Sequence, residues 1–363
     1  EVKIAIIGCG RISEHHCLSI LEVANVSLMA VCDLESSKAE AFGSKFNTPS
    51  YINYREMLDR HPEINTVVVA TPSGMHYEHA IELMQKYRKN IIIEKPTFML
   101  PDQVKESYAI AKKLNLKIFP VFQNRYNRAV QRVKKAVTNG ELGDIRVMAV
   151  RVRWCRPQRY YNLAPWRGTF SHDGGALTNQ GIHHVDLLRY LGGEVESVSS
   201  KMTTLGANIE VEDTVVSILK YKEAVGSLEV TTAARPDDFE ASISIVGSKG
   251  VAQIGGIAVN ELQIFTPDPE ECSKNSEDFS EGIGVYGNGH QKMYSDIIKT
   301  LLSNEKFPVE YSDCLKTIEL LNAFYCSDES NGKWINPIEG LQSQRLGRPD
   351  NGISDLYRIG QDR

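Results

Sequence analysis

The segment "NIIIEKPTF", residues 90–98, ends an apolar run with a carboxylate, an ammonium and a proline. Glu94 and Lys95 could form a surface ion pair, which is the ordinary reading of two opposite charges after a strand. Lys95 could instead donate a hydrogen bond to a substrate hydroxyl or carbonyl oxygen. Partial burial beside a positive charge would then lower its pKa toward the range useful for acid–base chemistry. The neighbouring residues favour this second interpretation.

A Gly-rich turn, "GCGRIS", joins the first strand-like segment to the first helix-like segment. Gly8 permits a tight turn, Gly10 lets the backbone approach a pyrophosphate, and the small Ser13 allows the helix to pack on the sheet. The phosphates would bind at the helix N-terminus. Such turns also occur for purely conformational reasons, so the motif depends on its context.

Asp33 ends the second strand, about 20 residues after the Gly-rich turn. Dinucleotide-binding folds carry their ribose-binding carboxylate at this spacing. A carboxylate there bonds the adenine ribose hydroxyls and repels a 2′-phosphate. Asp33 could also cap the helix that starts at Leu34, and Lys38 could weaken the repulsion. The sequence therefore predicts NAD rather than NADP.

Thr71 and Pro72 follow the fourth strand, and His76 begins the next helix. Lys95 follows the fifth strand. The carboxyl ends of parallel strands share one edge of the sheet, and ligands of doubly wound folds bind along it. The sequence thus places Thr71, Pro72 and Lys95 at one edge.

Strand-like and helix-like segments alternate from "VKIAIIG" to "LKIFPVF", and the strands are continuously apolar, as in a parallel sheet covered on both faces. Later segments such as "VEDTVVSILKY" alternate instead, which is typical of an open antiparallel sheet. The predicted fold is α/β. It comprises an NAD-binding Rossmann domain at 1–123, an α+β domain with a large open, mainly antiparallel sheet at 124–338, and a polar tail at 339–363 that is an arm or disordered.

Composition limits the class of protein. The 363 residues are 42% hydrophobic and 24% charged, which is ordinary globular chemistry for two domains, and the net charge of −5 gives no case for nucleic acid or an anionic membrane. No apolar run reaches the roughly 20 residues of a membrane span, and the N-terminus lacks signal-peptide features, so a cytoplasmic location is expected. No metal is expected, because neither His15 and His16 nor His183 and His184 have carboxylate or cysteine partners at ligand spacing.

Four motifs together resemble the glucose-fructose oxidoreductase, inositol dehydrogenase and rhizopine-catabolism (Gfo/Idh/MocA) family of NAD(P)-dependent sugar dehydrogenases. They are "GCGRIS" followed by His16, "ATPSGMH", "EKP" and "GGALTNQGIHHVDLL". The resemblance covers almost the whole chain up to the tail. It implies that Lys95 is catalytic and that His183 supplies a second acid/base group. It also implies that one part of the second domain's sheet binds substrate and another part forms a subunit interface. The expected assembly is a homodimer or homotetramer. The implied cofactor contacts are Gly8, Gly10, Arg11, Ile12, Asp33, Thr71, Pro72, His76, Glu94 and Gln123.

Asn179 departs from the family, since many members carry Asp there. A carboxylate relay to His183 is therefore not expected, and Asn179 would orient substrate or cofactor. His183 and His184 point about 100° apart on a helix, so at most one faces a cleft, and paired histidines are also common as packed or capping groups. Asp186 could hold the His183 ring or lie exposed. Tyr286, Asn288 and His290 precede a helix and could form a phosphate cradle or a capping loop.

Residues 124–167 contain eleven Lys and Arg against two acidic residues. The basic residues near Arg132 are interpreted as the solvated face of a helix. Arg151 and Arg153 could instead lie in a subunit interface. Arg156 suits a carboxylate or phosphate, and Tyr160 can stack on a base or sugar.

"VRWCRPQRYYN" and "TNQGIHH" also resemble the family branch that oxidises UDP-N-acetylglucosaminuronate at C3 for bacterial surface-polysaccharide synthesis. The diphosphate and carboxylate of that substrate match the local positive charge. Trp166 could close over substrate or plug a domain junction. The expected substrate contacts are Lys95, Arg156, Tyr160, Trp166, Asn179 and His183.

The predicted function is oxidation of a secondary hydroxyl of a nucleotide-linked sugar uronate, with NAD as cofactor. Two alternatives stay open at this point. One is an inositol or free-hexose dehydrogenase of the same family, which needs no anion site. The other is a non-catalytic NAD(H)-binding redox sensor.

Overall fold

A computed structural model describes residues 1–279, 286–338 and 340–360. Within them the chain separates into two compact units. Unit 1 comprises Glu1–Val121, His290–Cys314 and Pro349–Arg363, and unit 2 comprises Phe122–Gly289 and Leu315–Arg348.

Unit 1 is built on a six-stranded parallel sheet in the order β3-β2-β1-β4-β5-β6. The Ile91–Ile93 run of β5 is fully buried, as expected for a parallel strand covered on both faces. Its strands are β1 (Val2–Ile7), β2 (Val26–Cys32), β3 (Ser50–Tyr51), β4 (Thr66–Val69), β5 (Asn90–Ile93) and β6 (Ile118–Pro120).

Unit 2 is built on a seven-stranded sheet in the order β13-β12-β11-β7-β10-β9-β8. Its β7 and β10 pair in parallel, and all its other pairs are antiparallel. The strands are β7 (Ile145–Arg153), β8 (Val195–Thr203), β9 (Thr214–Tyr221), β10 (Val225–Thr231), β11 (Glu240–Gly247), β12 (Val251–Gly255) and β13 (Glu261–Phe265).

The helices follow the sequence periodicity and local capping signals. Asn53, for example, starts the third helix because its side chain accepts the N–H groups of Arg55 and Glu56. In the described residues the helices are α1 (Ser13–Glu22), α2 (Ser36–Phe46), α3 (Tyr54–Arg60), α4 (His76–Gln85), α5 (Pro101–Leu114), α6 (Arg128–Thr138), α7 (Gln158–Tyr161), α8 (Gly175–Asn179), α9 (Ile182–Gly192), α10 (Glu271–Lys274), α11 (Gly289–Ser303), α12 (Tyr311–Glu329) and α13 (Asn351–Tyr357).

One face of the unit 2 sheet is covered and the other is open. Met148, Val150 and Val152 of β7 are fully buried, on the side where α9 packs against β7. The alternate residues of the strands are accessible, in the period-2 pattern of a sheet with one covered face.

The predicted α/β fold is confirmed, with a Rossmann sheet followed by a mainly antiparallel one. The observed units differ from the predicted boundaries, however. The first break falls at Val121/Phe122, close to residue 123, but His290–Cys314 and the segment from Pro349 belong to unit 1. Periodicity identified the late helices without showing which sheet they cover. The domain roles themselves stay predictions.

Of the two alternatives given for the tail, an arm or disorder, disorder is wrong for Asn351–Tyr357. The sequence from Asn351 lacks clear periodicity, yet it forms α13, whose start Asp350 caps by accepting the Ile353 N–H. Arg358 then donates two hydrogen bonds to Glu78, at 2.8 and 2.9 Å. Capping and a distant ion pair therefore order a segment that the polar composition made look unstructured. Among the described residues, no helix is long and apolar enough to cross a membrane.

Candidate active site

The Gly-rich turn of unit 1 has the geometry that its spacing predicts. Gly8 has φ +96°, and a Cβ there would lie 2.4 Å from the Ala70 carbonyl oxygen, so glycine is required. Ser13 Oγ donates to the Gly8 carbonyl at 2.6 Å and ties α1 to the turn. A Cβ at Gly10 would meet nothing within 4 Å. The turn therefore leaves open space over Gly10, on the N-terminal side of α1.

Asp33 lies at the end of β2 and holds this turn. Its Oδ2 accepts the Cys9 N–H at 2.8 Å and its Oδ1 accepts the Glu35 N–H at 2.9 Å. Lys38 pairs with Glu35 at 2.6 Å, and this hydrogen bond is the main reason that its pKa is raised. Because Lys38 pairs with Glu35, it should weaken the repulsion between Asp33 and a 2′-phosphate only slightly.

His76 braces the two loops at the carboxyl edge of the unit 1 sheet. It is buried, with Nδ1 at 2.8 Å from the Pro96 carbonyl oxygen and Nε2 at 3.0 Å from the Thr71 carbonyl oxygen. Burial lowers its pKa, although the two carbonyls oppose that shift. His79 holds the same loop through Thr71 Oγ1, at 3.0 Å. His76 therefore positions the loops after β4 and β5, and direct contact with a cofactor stays a prediction.

Glu94 is buried, and it turns into unit 1. Its Oε1 lies 2.8 Å from Nε2 of His16, and its Oε2 accepts the Lys95 N–H at 3.0 Å. The surface ion-pair reading of Glu94 is therefore wrong. Both carboxylate oxygens have partners inside the unit, so a cofactor contact by Glu94 stays a prediction with less support.

In unit 2, α9 presents two buried histidines in different surroundings. His183 meets the Phe122 ring edge-on, with centroids 6.3 Å apart, and His184 meets Trp154 at 6.1 Å. Burial lowers the His184 pKa to about 4, so its imidazole is neutral at pH 7. His184 is a packed core residue.

Asp186 is buried, so the exposed position expected as one alternative is wrong. It is 1% exposed, and both its oxygens accept from Arg125, each at 2.7 Å. Breaking a buried ion pair of this kind typically costs about 3–5 kcal/mol, because a charge is left unpaired. Asp186 is therefore not exposed, and Arg125 is structural.

Asn179, at the end of α8, donates through Nδ2 to Asp173 Oδ1. Asp173 is buried, and its Oδ2 accepts the Gly168 N–H at 2.7 Å. The carboxylate that Asn179 itself lacks is thus present next to it in space. The sequence analysis missed Asp173, which lies in the quoted "SHDGG" segment.

Arginine and aromatic side chains cluster where β7 leads into α7. Arg156 lies over the rings of Trp154 and Tyr160, at 5.4 and 5.5 Å, and Arg167 lies 4.4 Å from the Tyr160 ring. The Tyr160 hydroxyl accepts from Arg167 at 2.6 Å and from Gln180 at 3.2 Å. Trp166 flanks Arg167 at 4.6 Å. The structure therefore brings together Arg156, Tyr160 and Trp166.

The basic excess of residues 124–167 is largely neutralised by acidic residues, most of which lie outside this range. Arg132, expected on a solvated face, is instead mostly buried and pairs with Glu141 and Glu271, at 2.7 and 2.9 Å. Arg151 and Arg153 pair with Glu240. Arg156 pairs with Asp238, but its hydrogen bonds to described residues all use Nη1. The count of basic residues in this part of the sequence therefore overstated the positive charge available to a ligand. Arg156 is anchored through Nη1, and its Nε and Nη2 have no hydrogen-bond partner among the described residues.

The comparisons identify the family. Residues 2–122 match "Oxidoreductase family, NAD-binding Rossmann fold", and residues 130–253 match "GFO/IDH/MocA C-terminal domain". The crystal structure of the WlbA dehydrogenase from Bordetella pertussis, in complex with NADH and UDP-GlcNAcA, is 34% identical in sequence. The match covers 93% of this chain and 97% of that chain, with a TM-score of 0.86. The chain belongs to the GFO/IDH/MocA oxidoreductase family.

Two sugar or polyol dehydrogenases are also similar along most of the chain. Glucose-6-phosphate 3-dehydrogenase of Bacillus subtilis is 26% identical over 357 residues, which are 91% of this chain and 97% of that protein. Myo-inositol 2-dehydrogenase of Thermotoga maritima is 25% identical over 313 residues, 84% of this chain and 88% of that protein. The protein is therefore an NAD-dependent sugar oxidoreductase, and the sensor alternative is wrong.

The residues present fit NAD, the cofactor of this GFO/IDH/MocA member. The open space over Gly10 admits a pyrophosphate against the backbone of the turn, and Arg11 and Ile12 flank it. Asp33 carries the charge expected beside a ribose. In unit 2, the Gln123 side-chain oxygen is buried and has no hydrogen-bond partner among the described residues, as expected of an atom reserved for a ligand.

Proposed function

We propose that this enzyme oxidises a secondary hydroxyl, at C3, of a nucleotide-linked sugar uronate such as UDP-N-acetylglucosaminuronate, for surface-polysaccharide sugar synthesis. The observation that carries the proposal is the cluster of Arg156, Tyr160, Trp166 and Arg167. It combines cationic donors with aromatic faces, which suit a diphosphate or carboxylate and a base or sugar ring. The similar Bordetella pertussis dehydrogenase supports the same substrate class, since its crystal contains UDP-GlcNAcA.

Lys95 and His183 carry the acid–base chemistry in this proposal. One of them takes the proton of the substrate hydroxyl as the carbinol carbon loses its hydride and a ketone forms. NAD, when bound, supplies the hydride acceptor. Asn179, held by Asp173, orients the substrate. Lys95 belongs to unit 1 and His183 to unit 2.

Arg156 contributes binding rather than chemistry. Its Nη1 is anchored by Asp238 at 2.8 Å, which fixes the guanidinium while Nε and Nη2 remain for an anion. Arg159, three residues later, is exposed on the short α7 and has no such anchor. The two arginines therefore form a matched pair for testing substrate recognition.

The test is a substrate panel with NAD: UDP-N-acetylglucosaminuronate, UDP-N-acetylglucosamine, myo-inositol and glucose. The uronate should give the highest kcat/KM. Arg156→Ala should lower that value about 10- to 100-fold through KM, as expected for a lost charged hydrogen bond, and Arg156→Lys should restore part of it. Arg159→Ala should have little effect. A higher kcat/KM for myo-inositol or glucose would overturn the proposal in favour of a polyol or hexose dehydrogenase.

The homo-oligomer expected from the sequence is also part of the proposal. On the open face of the unit 2 sheet, the register aligns Val225 of β10 with Val147 of β7, and Val147 with Val246 of β11. These valines are 40–56% exposed in the chain. Arg151 lies on the same face, where it pairs with Glu240. An apolar strip with paired charges suits an interface between copies of the chain.

A further inference from the structure

Four side chains of unit 1 form a buried polar cluster around Glu94. They come from α1 and α11 and from the end of β5, and all four are at most 5% exposed. The cluster, here called the tetrad, consists of His16, Glu94, His290 and Tyr294.

Two hydrogen bonds of the tetrad join Tyr294 to Glu94 through His16. His16 Nε2 lies 2.8 Å from Glu94 Oε1, and His16 Nδ1 lies 2.7 Å from the Tyr294 hydroxyl. A neutral His16 can donate from Nε2 to Glu94 and accept the Tyr294 proton at Nδ1. Tyr294 thereby fixes the tautomer that donates to the carboxylate.

His290 completes the tetrad from the other side. Its Nε2 lies 3.8 Å from Glu94 Oε1, and its ring meets His16 edge-on with centroids 5.1 Å apart. Burial lowers the His290 pKa to about 4, so its imidazole is neutral at pH 7. Its N–H dipole is available to a carboxylate without adding a buried charge.

Glu94 is the single acidic group in this interior cluster. Burial alone would raise its pKa, but the His16 hydrogen bond and the neighbouring imidazole of His290 outweigh burial and hold the pKa well below its usual value. Burying a carboxylate is costly unless it is paired and hydrogen-bonded. The three partners therefore serve to keep an ionised Glu94 at one fixed place.

What Glu94 contacts next indicates a role in the reaction. Its second oxygen accepts the main-chain N–H of Lys95 at 3.0 Å. We propose that the tetrad is a positioning device for Lys95: His16, His290 and Tyr294 fix Glu94, and Glu94 fixes the backbone from which the lysine side chain projects. The inference rests on the role proposed above for Lys95.

A metal centre is the rival interpretation, since ligand atoms of His16, Glu94 and His290 all lie within 4.8 Å of one another. Two ligands of a tetrahedral zinc, each about 2.0–2.1 Å from the ion, lie about 3.3 Å apart. His16 Nε2 and Glu94 Oε1 are 2.8 Å apart, which is a hydrogen-bond distance. The geometry therefore favours a hydrogen-bonded tetrad.

The test compares Glu94→Gln, Lys95→Met and the double variant in the full-length enzyme, with the substrate that gives the highest turnover in the panel. Gln keeps the shape of Glu94, and its amide can satisfy His16 and Lys95 if the His16 tautomer reverses, so folding should survive. Misplacing a catalytic group by about 1 Å can cost about 10²-fold in rate. We expect Glu94→Gln to lower kcat about 10- to 100-fold, with the NAD dissociation constant changed less than about threefold.

The double variant separates positioning from general damage. A group that acts through Lys95 has nothing left to act on once Lys95 is lost, so the double variant should be no slower than Lys95→Met. A further drop, or wild-type kcat in Glu94→Gln, would overturn the tetrad proposal while leaving the function intact. Full turnover in Lys95→Met would instead refute the proposed role of Lys95.

Two more measurements complete the test. Tyr294→Phe removes only the hydroxyl that fixes the His16 tautomer, so it should lower kcat in the same direction but less, with a thermal midpoint near that of wild type. Elemental analysis of the purified enzyme, before and after incubation with zinc, should find no stoichiometric metal. About one zinc per chain, lost in His290→Ala, would overturn the proposal and establish a metal centre.

Discussion

Asp33 is the residue proposed to select NAD over NADP. It holds the Gly-rich turn through the Cys9 N–H, so Asp33→Ala would remove a structural bond together with the charge. Asp33→Asn removes the charge and keeps one acceptor oxygen, which can stay on the Cys9 N–H while the Glu35 N–H loses its acceptor. The ratio of kcat/KM for NAD to that for NADP should fall about 10-fold or more, because like-charge repulsion of the 2′-phosphate is lost. An unchanged ratio would show that another group excludes NADP.

His183 and His184 give a matched pair for the chemistry. His183→Asn should lower the single-turnover rate by about 10² to 10⁴, the range for a missing acid–base group. His184→Asn should lower the thermal midpoint and leave that rate nearly unchanged, because His184 is a neutral core residue against Trp154. Equal effects of the two substitutions on the rate would contradict the assignment of His183.

At the scale of elements, the sequence predicted what local spacing determines. Gly8, Gly10 and Asp33 belong to one strand–turn–helix–strand segment, so their relation follows from chain connectivity. The sequence also predicted β5 and β9 correctly. A strand buried on both faces, such as β5, is continuously apolar, whereas a strand buried on one face, such as β9, alternates apolar and polar residues.

Contacts between distant segments could not be predicted in this way. His16 was named only as part of a motif, and its partners Glu94 and Tyr294 lie 78 and 278 residues away. Local spacing suggested that His16 has no carboxylate partner, and the structure supplies one. Arg125 and Asp186 likewise pair with each other across 61 residues, a contact that local spacing does not predict.

The open face of the unit 2 sheet carries the next prediction. Val225→Glu places a charge in the strip that Val225 shares with Val147 and Val246. A buried unpaired charge is costly at an interface, so the assembly should dissociate, as measured by light scattering. Leu302→Glu, at a residue 49% exposed near the end of α11, serves as the control. Loss of mass in both variants, or in neither, would count against this face.

For the whole molecule, unit 1 contains the predicted dinucleotide-binding residues and Lys95, and unit 2 contains His183, Asn179 and Arg156. Family membership establishes the sugar oxidoreductase activity and the cofactor. The carbon oxidised and the substrate come from the proposal, and its central claim is that hydride leaves C3 of a nucleotide-linked uronate.

Transfer of deuterium tests that claim most directly. The enzyme would be incubated with NAD and UDP-N-acetylglucosaminuronate deuterated at C3, and the reduced cofactor would be analysed by mass spectrometry. The account predicts that the reduced cofactor carries one deuterium and that turnover is slower than with unlabelled substrate. Reduced cofactor without deuterium, with the label retained in the sugar, would contradict it.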